Sequence, residues 1–332
     1  MNRRDALLLP LALGASALAW TQVPGRTYRV GYLGVTANNS PNDLRIWNSF
    51  GSRLRELGYN QGGNLVIEDR YSEGRNERYA EFAAEMVKLK ADVVVVTSGS
   101  SARAVMAVSR SMPIVTVFLP DPVRAGLITS FARPGGQLTG VYDLGPELLF
   151  KQFELLKAAV PSITRIAVAG CPQCALDSGL SAAEFAAVLA ERVTAARRIG
   201  MTLVPLDINA VSDFEAATAL LLRERADALV FVSTSVFPKL REKWRAFAEQ
   251  HRLPTIAEFS GQDTMFSYGT DAAGIYRKGA DYVAKILGGA IPGELPMEQP
   301  TTFQLVINLK MAQAMGLTIP QSLLLRADEV IR

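Results

Sequence analysis

Histidine and cysteine are nearly absent: His251 is the only histidine, and Cys171 and Cys174 are the only cysteines, in 332 residues. A tetrahedral zinc site needs four ligands of these kinds, so no such site can be assembled from them alone. With one histidine, no Ser–His–Asp or Cys–His set is legible, and no Gly-x-Ser-x-Gly elbow or phosphate-cradling Gly-rich loop is present. These gaps favour binding over catalysis, and no cofactor is expected. Net charge is small, +3, with the basic residues scattered rather than striped, which leaves no footprint for nucleic acid. Beyond the N-terminus no apolar run approaches membrane-spanning length.

The N-terminus itself reads as an export leader. Arg3 and Arg4 precede the short apolar stretch Ala6 to Leu18, and Ala17-Leu18-Ala19 is a small-x-small cleavage signal. The expected mature chain starts at Trp20, in the periplasm, by the Sec or the twin-arginine route. No cysteine follows the apolar stretch, so a lipid anchor is not supported.

What the chain does contain is a repeat. Lys90-Ala91-Asp92 leads into Val93 to Val96 and then Thr97-Ser98-Gly99-Ser100-Ser101; Arg225-Ala226-Asp227 leads into Ala228 to Val232 and then Ser233-Thr234-Ser235. Each is followed by a helix-like stretch, a proline and a further apolar run, Pro113 to Leu119 and Pro254 to Phe259. Strands alternating with amphipathic stretches indicate βαβ units and parallel sheets. The expected fold is therefore α/β, with two Rossmann-like lobes and hinge strands near Leu138 to Leu144 and Met265 to Gly269. After the leader at 1–19, residues 27–141 plus 268–299 are assigned to the first lobe, and 142–267 plus 300–332 to the second.

Parallel sheets bind ligands beyond the carboxyl ends of their strands. That rule selects Thr97, Ser98, Gly99, Ser100 and Ser101 as an anion subsite at a helix start, where the alternative is a plain cap. It also selects Ser233, Thr234 and Ser235 in the second lobe. Asp121, in Pro120-Asp121-Pro122, and Glu258 are candidates for a cationic group, although Asp121 also suits a turn. Trp47, Phe118, Phe237, Phe259 and Tyr268 would supply aromatic walls. Cys171-Pro172-Gln173-Cys174 is readable as a redox pair, half a zinc site or a local disulfide. In an exported protein the disulfide, at the cleft rim, is the expected outcome; an exported thiol-disulfide enzyme is the alternative function.

Several segments carry a resemblance. They are Leu54-Arg55-Glu56-Leu57-Gly58-Tyr59, Tyr71-Ser72-Glu73-Gly74-Arg75, Asp121-Pro122-Val123 and Ala132-Arg133-Pro134-Gly135-Gly136. Ser267-Tyr268-Gly269, Glu298-Gln299-Pro300-Thr301, Leu305 to Lys310 and Arg326-Ala327-Asp328-Glu329-Val330 continue the pattern. In these the chain resembles the ABC-transporter substrate-binding proteins that include tryptophan- and tyrosine-binding members. The resemblance implies a type I periplasmic-binding-protein fold, a small solute such as an aromatic or branched amino acid or related carboxylate, and a monomer that serves a membrane permease and its ATPase subunits. The chain departs from that family at Cys171 to Cys174, where a polar loop is usual.

Overall fold

The computed structural model describes residues 25–35, 41–142, 146–177, 180–232, 234, 236–258 and 263–332. The leader at 1–19, Ser233, Ser235 and Phe259 lie outside the described residues.

The first half of the chain runs β1 (Tyr28–Gly34), α1 (Pro41–Glu56), β2 (Leu65–Tyr71), α2 (Arg78–Lys88), β3 (Val93–Val96), α3 (Gly99–Val108), β4 (Ile114–Thr116) and β5 (Leu138–Gly140). It continues as α4 (Pro146–Ala159), β6 (Arg165–Gly170), α5 (Pro172–Asp177), α6 (Ala182–Arg198), β7 (Thr202–Asp207), α7 (Phe214–Arg223), β8 (Ala228–Phe231), α8 (Phe237–His251) and β9 (Thr255–Ala257). The last part is β10 (Phe266–Thr270), α9 (Ala272–Leu287), β11 (Phe303–Asn308), α10 (Leu309–Ala314), α11 (Gln321–Leu324) and β12 (Glu329–Ile331). The strands form two sheets, ordered β2-β1-β3-β4-β5 and β12-β11-β10-β9-β8-β6-β7. All pairs are parallel except β10 with β11. This is the two-lobe α/β architecture that the alternating pattern predicts. The chain changes lobe after Val141, which bridges to Glu298, and after Thr270, the last residue of β10 in the second sheet. Helix α9 then packs on the first sheet, and β11 returns to the second.

The unbroken valine run of β3 follows from burial on both faces. Val93 and Val95 enter the core that lies under α1 and α9, while Val94 and Val96 enter the opposite core under α2 and α3. The second lobe closes around a single core that contains Trp244 and Phe153.

The repeated Ala-Asp motif has a mechanical basis. Lys90 and Arg225 adopt left-handed φ values of 55° and 52°, and each ends its helix in a Schellman turn, with Ala91 N donating to Met86 O and Ala226 N to Leu221 O. The following aspartate then clamps the neighbouring strand. Asp92 N donates to Arg29 O and Asp227 N to Arg165 O, while the carboxylates accept from Arg29 N (2.7 Å) and Arg165 N (2.9 Å). A third copy, Arg326-Ala327-Asp328, makes the same two-way pair with Leu305, at 2.9 and 2.8 Å.

Asp227 also accepts from Thr164 N at 2.8 Å and Thr164 Oγ1 at 2.9 Å. Burial pushes its carboxyl up, but the hydrogen bonds from Thr164 and Arg165 outweigh burial and hold it below its ordinary value. A depressed carboxyl stabilises the fold above its unfolded pKa, and that contribution fades as pH falls through the folded value. Asp227→Asn is expected to cost roughly 1–2 kcal/mol at pH 7. In urea unfolding, the gap from the parent should shrink at pH 3. An equal gap at both pH values would remove the charge from the account.

Candidate ligand cleft

The carboxyl ends of the parallel strands in both sheets carry the loops that meet between the lobes. The lobes touch across this opening. Asn76 Nδ2 donates to Asp177 Oδ2 at 3.0 Å, Arg124 meets Glu191 at 3.3 Å, and Lys239 donates to the Glu73 carbonyl.

On the first-lobe side, the site is built from aromatic residues. Tyr32, near the end of β1, and Tyr276, in the second turn of α9, are both buried, and their hydroxyls are 2.7 Å apart. Trp47 from α1 meets the Tyr32 ring edge-on, centroids 4.5 Å apart. Phe118, just past β4, lies 5.8 Å from Tyr276, and Tyr71, at the end of β2, lies 5.9 Å from Tyr32. Trp47, Tyr71 and Phe118 are half-buried. Burial, followed by the neighbouring Tyr276, raises the Tyr32 phenol well above its ordinary value; burial pushes Tyr276 up to about 12. Both therefore remain neutral at physiological pH, as apolar walls with a polar tip.

Acids approach from both lobes. Burial raises the Asp263 carboxyl; Arg241 and Arg245 oppose that shift, and Asp43, in the first turn of α1, adds to it. Asp263 Oδ2 lies 3.3 Å from Arg241 Nε. Glu258, past β9, is buried and packed on Gly269, where its Cγ and carbonyl would lie 2.5 Å from an added Cβ.

Among the described hydroxyl residues selected from sequence, Thr97, Ser98, Ser101 and Thr234 have partners within the protein. Ser98 and Ser101 form a reciprocal capping box at the start of α3, with their hydroxyls 2.9 Å apart. Thr97 Oγ1 donates to the Leu33 carbonyl at 3.3 Å. Gly99 is buried, and Ser100 is half-buried with no side-chain hydrogen bond among the described residues. Thr234 Oγ1 accepts from Phe237 N at 3.2 Å, at the start of α8. Asp121 holds its own turn, accepting from Arg124 N at 2.9 Å and pairing with Arg124 Nε at 3.2 Å. The Tyr268 ring stacks on Phe303 at 6.0 Å and packs against the second-lobe core, while its carbonyl accepts from Gln152 at 2.9 Å. Of the candidates, then, Phe118 and Trp47 join the aromatic group. Sequence reasoning missed Tyr32, Tyr71 and Tyr276; the one available signal was a ring with a polar tip near the carboxyl end of β1.

Cys171 and Cys174 are bonded to each other across the start of α5, with Cα atoms 5.2 Å apart. The pair does open a short helix, which the sequence reading did not anticipate. Pro172 at its first position suits a helix start. Cys171 is buried, and α5 lies against α3 of the first lobe. A small apolar cavity of about 10 Å³, lined by Gly170, Phe231, Phe237 and Trp244 among others, is large enough for no more than one water. Among the described residues no His/Cys/Asp/Glu group has metal-binding geometry, and no helix is long and apolar enough to cross a membrane.

The chain matches known proteins over most of its length. The family described as ABC transporter substrate binding protein matches residues 39–331. A tyrosine-binding protein of Clostridioides difficile is 22% identical over 258 residues, covering 77% of this chain and 72% of the relative. A conserved domain protein of Vibrio cholerae is 26% identical with a TM-score of 0.81, covering 92% of this chain and all (100%) of that one. The structure of an ABC domain in complex with L-Trp from Streptococcus pneumonia is 22% identical, also with a TM-score of 0.81 and coverage of 92% and 100%. The sheets, the cleft between them and a match spanning nearly all of the described chain give one conclusion: the chain belongs to the ABC transporter substrate-binding protein family.

Proposed function

We propose that the solute is an amino acid with an aromatic side chain, held in the interlobe cleft and delivered from the periplasm to a membrane permease by a monomeric, exported chain. The observation that carries this reading is the group of Tyr32, Trp47, Tyr71, Phe118 and Tyr276 at the carboxyl edge of the first sheet. A flat ring gains most where rings present edges and faces at offset angles, as these do. The acids Asp43, Glu258 and Asp263 suit the ammonium end of such a solute. The tyrosine-binding relative and the L-Trp complex support the same class. A thiol-disulfide enzyme is not supported, because Cys171 is buried and bonded and the family is one of binding proteins.

Titration calorimetry with the full set of protein amino acids tests the reading. Tryptophan, tyrosine or phenylalanine is expected to bind at least tenfold more tightly than leucine. Leucine or a charged amino acid binding best would refute an aromatic solute.

A further inference from the structure

Gly170 is the last residue of β6, at the ligand-facing edge of the second sheet. Having no side chain, it leaves its flank open to Arg192 of α6, whose Nη1 would be 3.9 Å from a Cβ placed there. The adjacent Glu191 reaches Arg124 of the first lobe, so this stretch of α6 lies on the seam between the lobes. Arg192 itself makes no hydrogen bond or ion pair among the described residues. Burial lowers its guanidinium pKa, with Glu191 acting in the opposite direction. Arg192 is half-buried, and its charged neighbour among the described residues is Glu191, so an arriving anion would add to the compensation of its charge.

Of the hydroxyls at the start of α3, those of Ser98 and Ser101 are engaged with each other and with the α3 cap. We propose that Arg192 receives the carboxylate of the solute, as the second lobe's charged contact. This rests on the reading that the solute is an amino acid. A guanidinium suits the task because its fork of donors matches both carboxylate oxygens. With the ring on the first lobe and the carboxylate on the second, only a closed cleft satisfies both ends. The solute would then bind the closed state better than the open one, as any ligand that drives closure must.

Calorimetry of the mature protein with L-tyrosine and L-tryptophan, and with tyramine and tryptamine, which lack the carboxylate, tests this. The parent is expected to prefer each amino acid over its amine by roughly ten- to a hundredfold. Arg192→Gln should lower amino-acid affinity by that factor and leave amine affinity within about twofold, and Arg192→Lys should recover part of the loss. Amino-acid affinity unchanged in Arg192→Gln, or acid and amine affinities falling together, would overturn the proposal. If none of the four binds the parent, the aromatic reading fails separately. Arg192 is then tested by thermal shift with acetate, succinate, glutamate and indole-3-acetate against their amides. Stabilisation by acids in the parent but not in Arg192→Gln supports the carboxylate role, and no difference between the two proteins refutes it.

Discussion

Replacing Gly140 with alanine is expected to destabilise the protein by roughly 3 kcal/mol or more. Gly140 ends β5 with φ of 127°, a region that L side chains rarely adopt. An added Cβ would lie 2.2 Å from the Thr116 carbonyl oxygen and 2.7 Å from its nitrogen. Both are backbone atoms inside the first sheet, so no side chain can rotate away. The same carbonyl accepts from Val141 N at 2.9 Å, and Gly140 O accepts from Glu298 N at 2.9 Å. Shifting Gly140 therefore disturbs two of the strand-to-strand links at the point where the chain leaves the first lobe. Gly51→Ala makes the same chemical change on α1, with nothing within 4 Å of the new methyl; it should be neutral or stabilise by up to about 1 kcal/mol. Urea unfolding of both variants checks the contrast, and a Gly140 variant as stable as the parent would show that β5 can yield.

The architecture was legible because its signals are local. The β3 valine run, the following cap residues and the proline before β4 lie within about twenty-five positions, and the second lobe repeats the order. The repeat even exposed the clamp aspartates Asp92 and Asp227, although only the structure shows what they hold. The site was less legible, for two physical reasons. Serine and threonine after a strand look alike whether they meet a solute or their own helix: Ser98 and Ser101 cap α3, and Thr234 accepts from the first N–H of α8. The contacts that define the aromatic wall are also far apart in sequence: the Tyr32 and Tyr276 hydroxyls meet across 244 positions, joined only because the chain crosses back after Thr270 to lay α9 on the first sheet. Arg192 is hidden in the same way, because its place beside Gly170 has no sequence signature.

Tyr276→Ala is expected to have the largest effect at the site, with a stability loss of roughly 3–5 kcal/mol by analogy with other large buried rings. The ring contacts Tyr32, Phe50 and Phe118 with centroids 6.4, 6.5 and 5.8 Å away, so its removal opens a cavity between α9, α1 and the end of β4. Binding of an aromatic amino acid should fall by at least tenfold, since the Phe118 and Tyr32 walls lose their backing. Tyr276→Phe separates ring from hydroxyl. It keeps the packing but leaves the buried Tyr32 hydroxyl without its described partner, at about 1–3 kcal/mol. Replacing both tyrosines with phenylalanine removes donor and acceptor together, which is often nearly neutral. The double variant should therefore be more stable than the sum of the single losses predicts. Thermal unfolding of the three phenylalanine variants and the parent, run as a double-mutant cycle, measures that coupling. Strict additivity would mean that the 2.7 Å hydroxyl pair contributes nothing. The rings would then be held by packing alone, and affinity for the aromatic solute should survive both single phenylalanine changes.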